Sequence, residues 1–291
     1  VKRPSIALTF FIALTCVAAT ARAQEQKKSP TSKLFIAETN GDTQIDTGKE
    51  IDDLTKKSVY RAQGTVIQSK ANSNVSLVLS NGTGIYADVN TRLEIRGFQQ
   101  EPFRPNRTDM DDEPSVSKTH LFLDYGVIGV STSNLAAGST MIYETSLVSA
   151  TIRGRQAVIA AGDNFTEISM VSGDATITPG PLDPPHDLKD GQQMIVRPGK
   201  TPDHNIVIIQ DIASGNEEEA QKWLEYRVLT ADDARKTVYF EETTRKDGAI
   251  TVFDGAAGPA TGGGNDIVAV PVVTVNPPVG PVVSAANLTS R

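Results

Sequence analysis

From Leu34 to Gln210 the chain divides into short runs of alternating apolar and polar residues, separated by Gly, Asn, Asp and Pro. A period of two is the signature of a half-buried strand, because successive side chains leave opposite faces of the backbone. The clearest case is NSNVSLVLSNGTGIYADVNTRLEI, Asn72 to Ile95. Val75, Leu77 and Leu79 alternate with Ser76, Val78 and Ser80, and Asn81-Gly82 supplies a tight reversal before the next strand. Asn40-Gly41 predicts a second hairpin, between Leu34–Ala37 and Thr43–Ile45. Further strands are predicted at Val59–Ala62, Thr65–Gln68, Gly84–Ala87 and Leu93–Arg96. After a polar connection from Gln99 to Ser117 they resume at Leu121–Leu123, Val127–Ser131 and Thr140–Glu144.

The same pattern continues through Ile152–Ala160 and Phe165–Ile177, where Ile168, Met170, Ala175 and Ile177 are the expected inward positions. Gly173-Asp174 is read as a reversal between two strands, and Gln193–Val196 and Asn205–Gln210 as the closing strands. Many short strands with regular turn signals predict an all-β fold: a sandwich, a roll or a β-helix. The period changes only after Asn216. Ala220, Trp223, Leu224 and Tyr226 fall at a three-to-four spacing behind Glu217, Glu218 and Glu219, acids that suit a first helical turn. One helix, Glu217 to Tyr226, is predicted, with a further turn after Ala231.

The two ends of the chain have a different character. Lys2 and Arg3, the apolar run Ile6 to Ala19 and the small-x-small pattern Ala21-Arg22-Ala23 predict a secretory leader cleaved after Ala23. The run is short of the about 20 apolar residues that a membrane span needs. Cys16, the single cysteine, lies within it, so the exported chain is expected to form no disulfide and to rely on its own core. Ala13-Leu14-Thr15 before Cys16 makes a poor lipid-anchor signal. From Gly255 onward Gly, Pro, Ala and Val dominate, which predicts a disordered tail; its Val-Pro runs suit polyproline geometry and addition to a sheet edge. The expected organisation is therefore a leader (1–23), a polar linker (24–33), a β domain (34–210), a helix with short C-terminal elements (211–254) and the tail (255–291).

Composition narrows the function. Among 291 residues, 38% are hydrophobic and the net charge is −7. That core is large enough to be stable unaided, and the acidic balance excludes the basic stripe of a nucleic-acid binder. Aromatic residues make up 5%, with one Trp. A carbohydrate-binding module, the alternative function considered, would have to build its flat face from Tyr86, Phe98, Phe103, Phe122 and Tyr125.

Candidate chemistry is sparse. The chain has neither a G-x-S-x-G elbow nor an H-E-x-x-H pair. His120, His186 and His204 are far apart; His186, in Asp183-Pro184-Pro185-His186-Asp187, is read as part of a solvated loop and not as a metal ligand. The acidic stretch Asp109-Met110-Asp111-Asp112-Glu113-Pro114 lacks the glycine turn and distal glutamate of a calcium loop and is likewise read as solvated. Arg153 and Arg155, flanking Gly154, are candidates for carboxylate or phosphate contact, with pairing to Glu144 or Glu167 the preferred account. No catalytic, cofactor-binding or metal-binding residue is predicted.

Taken in order, Thr65-Val66, Asn72 to Thr83, Asn90 to Ile95, Leu121 to Ile128 and Ala150-Thr151-Ile152-Arg153-Gly154 resemble the FecR domain. Thr166 to Gly173, Ala175 to Ile177, Leu188 to Gln192 and Pro198-Gly199 extend the resemblance over about Leu34 to Gly199. It implies a β-rich extracytoplasmic domain. The best-known members carry a cytoplasmic anti-sigma segment and a transmembrane helix and relay a signal from an outer-membrane iron-siderophore receptor. Here a cleavable leader is expected in their place, which leaves no route for a signal into the cytoplasm, so the iron-regulatory role is not carried over; a second departure is Arg155, where the family usually has Thr. The expectation is an exported, non-enzymatic β domain acting in protein binding, assembly or sensing at the bacterial cell envelope, with an envelope protein as partner.

Overall fold

The computed structural model of the protein describes residues 32–103, 111–201, 204–212, 218–245 and 268–275, with Glu218 and parts of the last two strands described by backbone alone. The expected leader lies outside the described residues. Seventeen strands connect edge to edge, and the fifteen-residue β9 (Ser117–Ser131) divides them into two layers.

The first layer runs β4 (Val59–Arg61), β1 (Lys33–Asn40), β6 (Asn74–Leu79), β7 (Gly84–Ala87), the second half of β9, β12 (Gln156–Gly162), β13 (Phe165–Ser172), β16 (Gln192–Pro198) and β17 (Asn205–Asp211), antiparallel throughout. The second runs β3 (Ile51–Asp53), β2 (Thr43–Asp46), β5 (Val66–Ser69), β8 (Thr91–Gln100), the first half of β9, β10 (Thr140–Glu144), β11 (Ser149–Ile152), β14 (Ala175–Thr178) and β15 (His186–Leu188). Within it only β9 and β10 run parallel.

The fold is thus all-β, and of the expected forms it is a sandwich. Its inner faces share one core, in which Leu34, Ile36, Leu77, Leu79 and Ile168 of the first layer meet Ile45, Ile67, Leu93, Leu121 and Ile177 of the second. Ile168, Met170, Ala175 and Ile177 are all buried there, as their alternation predicts. The stretch Leu121–Ser131 is one strand where two were expected. It passes between layers at Gly126, whose φ of +99° is a left-handed value and whose Cβ, were there one, would lie 2.4 Å from the Thr91 Cα.

Three local readings change once both layers are visible. Asn81-Gly82 closes a true hairpin, with Val78 opposite Gly84. Asn40-Gly41 does not: β1 pairs with β4 and β6, and β2 with β3 and β5, so that turn carries the chain from one layer to the other. Gly173-Asp174 is likewise a corner and not a reversal, since β13 and β14 lie in different layers. Turn chemistry demands positive φ in both situations, so the residues alone do not separate hairpin from corner. His186, read as a loop residue, lies in the edge strand β15 opposite Ile177.

The one α-helix among the described residues, α1 (Glu218–Lys236), runs ten residues past the predicted end at Tyr226. It lies across the outer face of the first layer, over β6, β7, β9 and β12. Two glycines admit it. A Cβ on Gly84 would stand 2.0 Å from the Ala231 carbonyl oxygen, and one on Gly129 would stand 2.6 Å from the Arg227 carbonyl. Tyr86 is opposite Gly129 in the β7–β9 register and Gly84 is opposite Ser131, so both glycines fall on one face. Beside the helix, Phe35, Val78, Phe103, Ala234, Val238 and Phe240 form a smaller apolar cluster. Val238 and Phe240 belong to β18 (Val238–Arg245), which pairs in parallel with β19 (Val268–Val275). The strand β19 falls inside the stretch expected to be disordered; the rest of that stretch lies outside the described residues.

Replacing either Gly84 or Gly129 with Ala is expected to lower stability by about 1–3 kcal/mol through overpacking against helix backbone. Gly97→Ala is the control, since its Cβ would meet only the His120 Cβ at 3.5 Å. Urea midpoints of the three variants check this, and equal midpoints would show that the helix does not rest on those two positions.

Candidate binding surface

The helix docks through Val228, Ala231 and Ala234 together with ionic side chains. Arg227 places its guanidinium on Asp88, with Nη2 2.7 Å from the carboxylate, and both partners are largely buried. One turn further on, Asp232 accepts hydrogen bonds from Ser131 Oγ and from Arg235 Nε, each at 2.8 Å. Arg235 reaches back to Asp111 at 3.3 Å, and Lys236 pairs with Asp232 from the solvent side. Burial pushes the Asp232 carboxyl up, but hydrogen bonds from Lys236 and Ser131 and the charge of Arg235 outweigh it and hold the group below its ordinary 3.8.

The first half of the helix stands clear of the sheet and leaves a groove of ≈ 880 Å³. Its floor is Glu167 of β13, Gln193 and Ile195 of β16 and Gln210 of β17; its wall is Ala220, Gln221, Trp223, Leu224 and Arg227. Trp223 lines the groove and begins a chain of ring contacts along the helix. Tyr226 meets Tyr86 edge-on at 5.6 Å and Trp223 edge-on at 5.7 Å, with the Arg227 guanidinium 5.8 Å from the Trp223 ring. Trp223 and Tyr226 are each 47% exposed and Leu229 54%. Glutamines on the floor provide hydrogen-bond donors and acceptors without fixed charge.

The residues singled out in the sequence are scattered. His120 lies 2.7 Å from Glu144 on the outer face of the second layer, where Arg96 also reaches Glu144 at 2.9 Å and stacks 3.6 Å over Phe122. His204 lies 2.8 Å from Asp183. That carboxyl is held below its ordinary value by the Asn205 N–H and by His204. Among the described residues no group of three or more His, Cys, Asp or Glu could hold a metal ion.

Of the acidic stretch, Asp111, Asp112 and Pro114 are exposed, as the solvated-loop reading expects, while Glu113 is buried. Asp111 accepts from Arg155 at 3.2 Å, Asp112 from Asn134 at 2.8 Å, and Glu113 is buried against Ser117 and the Ala136 N–H; Asp109 and Met110 lie outside the described residues. Burial raises the Glu113 carboxyl despite those bonds. Arg155 therefore pairs with Asp111, where Glu144 or Glu167 was the expected partner, because residues 153–155 form a turn between β11 and β12 and do not continue a strand. Of the five candidate rings, Tyr86, Phe98 and Phe103 are buried, so they make no flat exposed face. Among the described residues two buried hydroxyls, Tyr143 and Ser169 of β13, have no hydrogen-bond partner; Tyr143 precedes Glu144 in β10 but is turned into the core.

The groove itself was missed in the sequence. Its wall depends on the helix beyond Tyr226, whose inward positions are Arg227, Asp232 and Arg235 alongside Val228 and Ala231. A search for apolar periodicity passes over a face that is half ionic. The available signal was the spacing of Asp232 and Arg235 (three apart) and of Arg227 and Arg235 (eight apart), which places them on one side of a helix.

No protein-family model matches the chain, and no curated protein does. Two crystal structures, both of a candidate anti-sigma factor from Parabacteroides distasonis, at 2.50 and 1.65 Å resolution, are similar to it at 15% identity with a TM-score of 0.38. The matches cover 55% of this chain and 63% and 64% of theirs, so this chain spans less than two thirds of those structures. Among the described residues no helix is long and apolar enough to cross a membrane.

Two outcomes test the docking. Arg227→Ala leaves Asp88 largely buried without its cation and is expected to cost about 2–4 kcal/mol; adding Asp88→Ala recovers part of that loss, read from a double-mutant cycle of urea melts. The second concerns pH. A depressed carboxyl stabilises the fold above its unfolded value and loses that contribution as pH falls through its folded value. The Tm gap between wild type and Asp232→Asn is therefore expected to be full above about pH 4 and to close below it. A gap that widens with acid would contradict the assignment. Glu113→Gln should behave in the opposite sense, since a raised carboxyl penalises the fold as pH rises.

Proposed function

We propose that this chain is an exported, non-catalytic, FecR-like β domain that binds a protein partner at the bacterial cell envelope. The observation that carries the reading is the groove between α1 and the outer face of the first layer. It has a half-exposed Trp223 in its wall, a floor of mostly neutral polar and aliphatic side chains, and, among the described residues, no group of His, Cys, Asp or Glu that could hold a metal ion. Aromatic anchors beside amide side chains suit peptide recognition, in which rings supply contact area and amides satisfy a backbone.

Export rests on the predicted leader, and the FecR likeness on the order of turn and strand motifs from Thr65 to Gly199. The groove is the site expected to select the partner, with Trp223 as its principal anchor.

The test is a photoreactive phenylalanine analogue at position 223 of the full chain, expressed in bacterial cells, irradiated and fractionated. One discrete adduct with a protein of the envelope fraction is expected. The same analogue at position 187, on the edge strand β15 of the second layer, should give none. Adducts confined to the cytoplasm, or identical adducts from both positions, would overturn the proposal.

A further inference from the structure

The edge strands among the described residues are protected unequally. β3, β4 and β15 are three residues long and carry Asp52 and Asp53, Arg61 and Asp187. Brevity and charge are the usual means of keeping a sheet edge from pairing with another chain. β17 lacks the first and has little of the second. It is seven residues long, NIVIIQD, with no Lys, Arg or Pro and its one acid at the very end, and it exposes Ile206 at 53% and Ile208 and Ile209 at 42% each.

The direction of its backbone groups can be assigned. The Ile212 N–H donates to the Gly191 carbonyl of the neighbouring chain segment at 2.8 Å. Ladder groups alternate in direction along an antiparallel strand. Gln210, Ile208 and Ile206, at every second position before Ile212, therefore turn their backbone groups towards β16, and Ile209, Val207 and Asn205 turn theirs away from it. The register, Ile195 opposite Ile208 and Gln193 opposite Gln210, agrees with that alternation.

We infer that β17 pairs with β17 of a second copy of this chain, antiparallel, about a two-fold axis through Ile208. In that register Ile208 meets its own counterpart, Val207 meets Ile209 and Ile206 meets Gln210. The strand is self-complementary from Ile206 to Gln210, where apolar residues oppose apolar residues at the centre and no charges meet; the ladder stops short of Asn205, whose N–H already donates to Asp183 at 2.9 Å. The outward groups of Val207 and Ile209 exchange hydrogen bonds across the axis, and Ile208 falls at a close, non-hydrogen-bonded pair. The axis stands perpendicular to the sheet, so both copies present their grooves on the same side, whatever those grooves bind. Fewer than seven residues a side is well below the roughly 20–30 of a standard interface, so the dimer is expected to be weak and concentration-dependent.

The full chain with Cys16→Ser tests this by disulfide trapping. Ile208→Cys is expected to form a covalent dimer under mild oxidation, because the close cross-strand pair brings the two Cα atoms to about 4.5 Å, inside the disulfide range. Ile206→Cys should trap at least about tenfold more slowly, since its copies lie about 13 Å apart along the strands; pairing it with Gln210→Cys should restore trapping. Sedimentation should show Ile208→Glu as monomer, and mixing it with Ile208→Lys should recover the dimer. Equal trapping at 206 and 208, or a wild-type chain that remains monomeric at several hundred micromolar, would overturn the inference.

Discussion

The arrangement depends on the close approach of one helix backbone to one strip of sheet. Gly84 and Gly129, diagonal neighbours across the β7–β9 pair, leave two gaps beside the side chains of Tyr86 and Ser131 on that face. A helix can settle there until its carbonyls touch strand backbone. That proximity brings Arg227 to Asp88 and Asp232 to Ser131, within direct hydrogen-bonding reach. Packing and charge pairing support each other. The glycines set the separation, and the ion pairs fix the register of the helix along the strip.

The groove follows from the same contact. The helix is held at its second half, where Arg227, Val228, Ala231 and Arg235 face the sheet, and diverges from β13, β16 and β17 at its first half. Trp223 and Tyr226 sit at the transition, with Tyr226 resting against the buried Tyr86. Such a surface is rigid at one end and open at the other, which suits recognition by a preformed cleft more than by a loop that must order first. The chemistry-bearing residues lie elsewhere. His120 with Glu144, and His204 with Asp183, are separate pairs in separate parts of the sandwich, and each stabilises local geometry.

The connection between layers explains why the domain reads as repetitive yet folds as one body. β9 lends its first half to one layer and its second half to the other, bending at Gly126. The corners at Asn40-Gly41 and Gly173-Asp174 do the same between successive strands. Each crossing places a strand above the one that precedes it, so the apolar faces of both layers close on a common core.

Much of this was legible from residue order. Alternation identified most strands and the inward set Ile168, Met170, Ala175 and Ile177, because a half-buried strand must place every second side chain in the core. Asn81-Gly82 was read correctly as a hairpin for the same local reason. What only the tertiary structure decided was which strands are partners, and with that whether a glycine turn is a hairpin or a corner, where the helix ends, and where the groove lies. Pairing is a long-range choice that leaves no mark on the period of a single strand. The second half of the helix is buried partly through charges whose partners, Asp88, Ser131 and Asp111, lie about 100 residues or more away along the chain. Local pattern registers burial by apolar residues; burial by matched charge becomes visible only when both partners have been brought together.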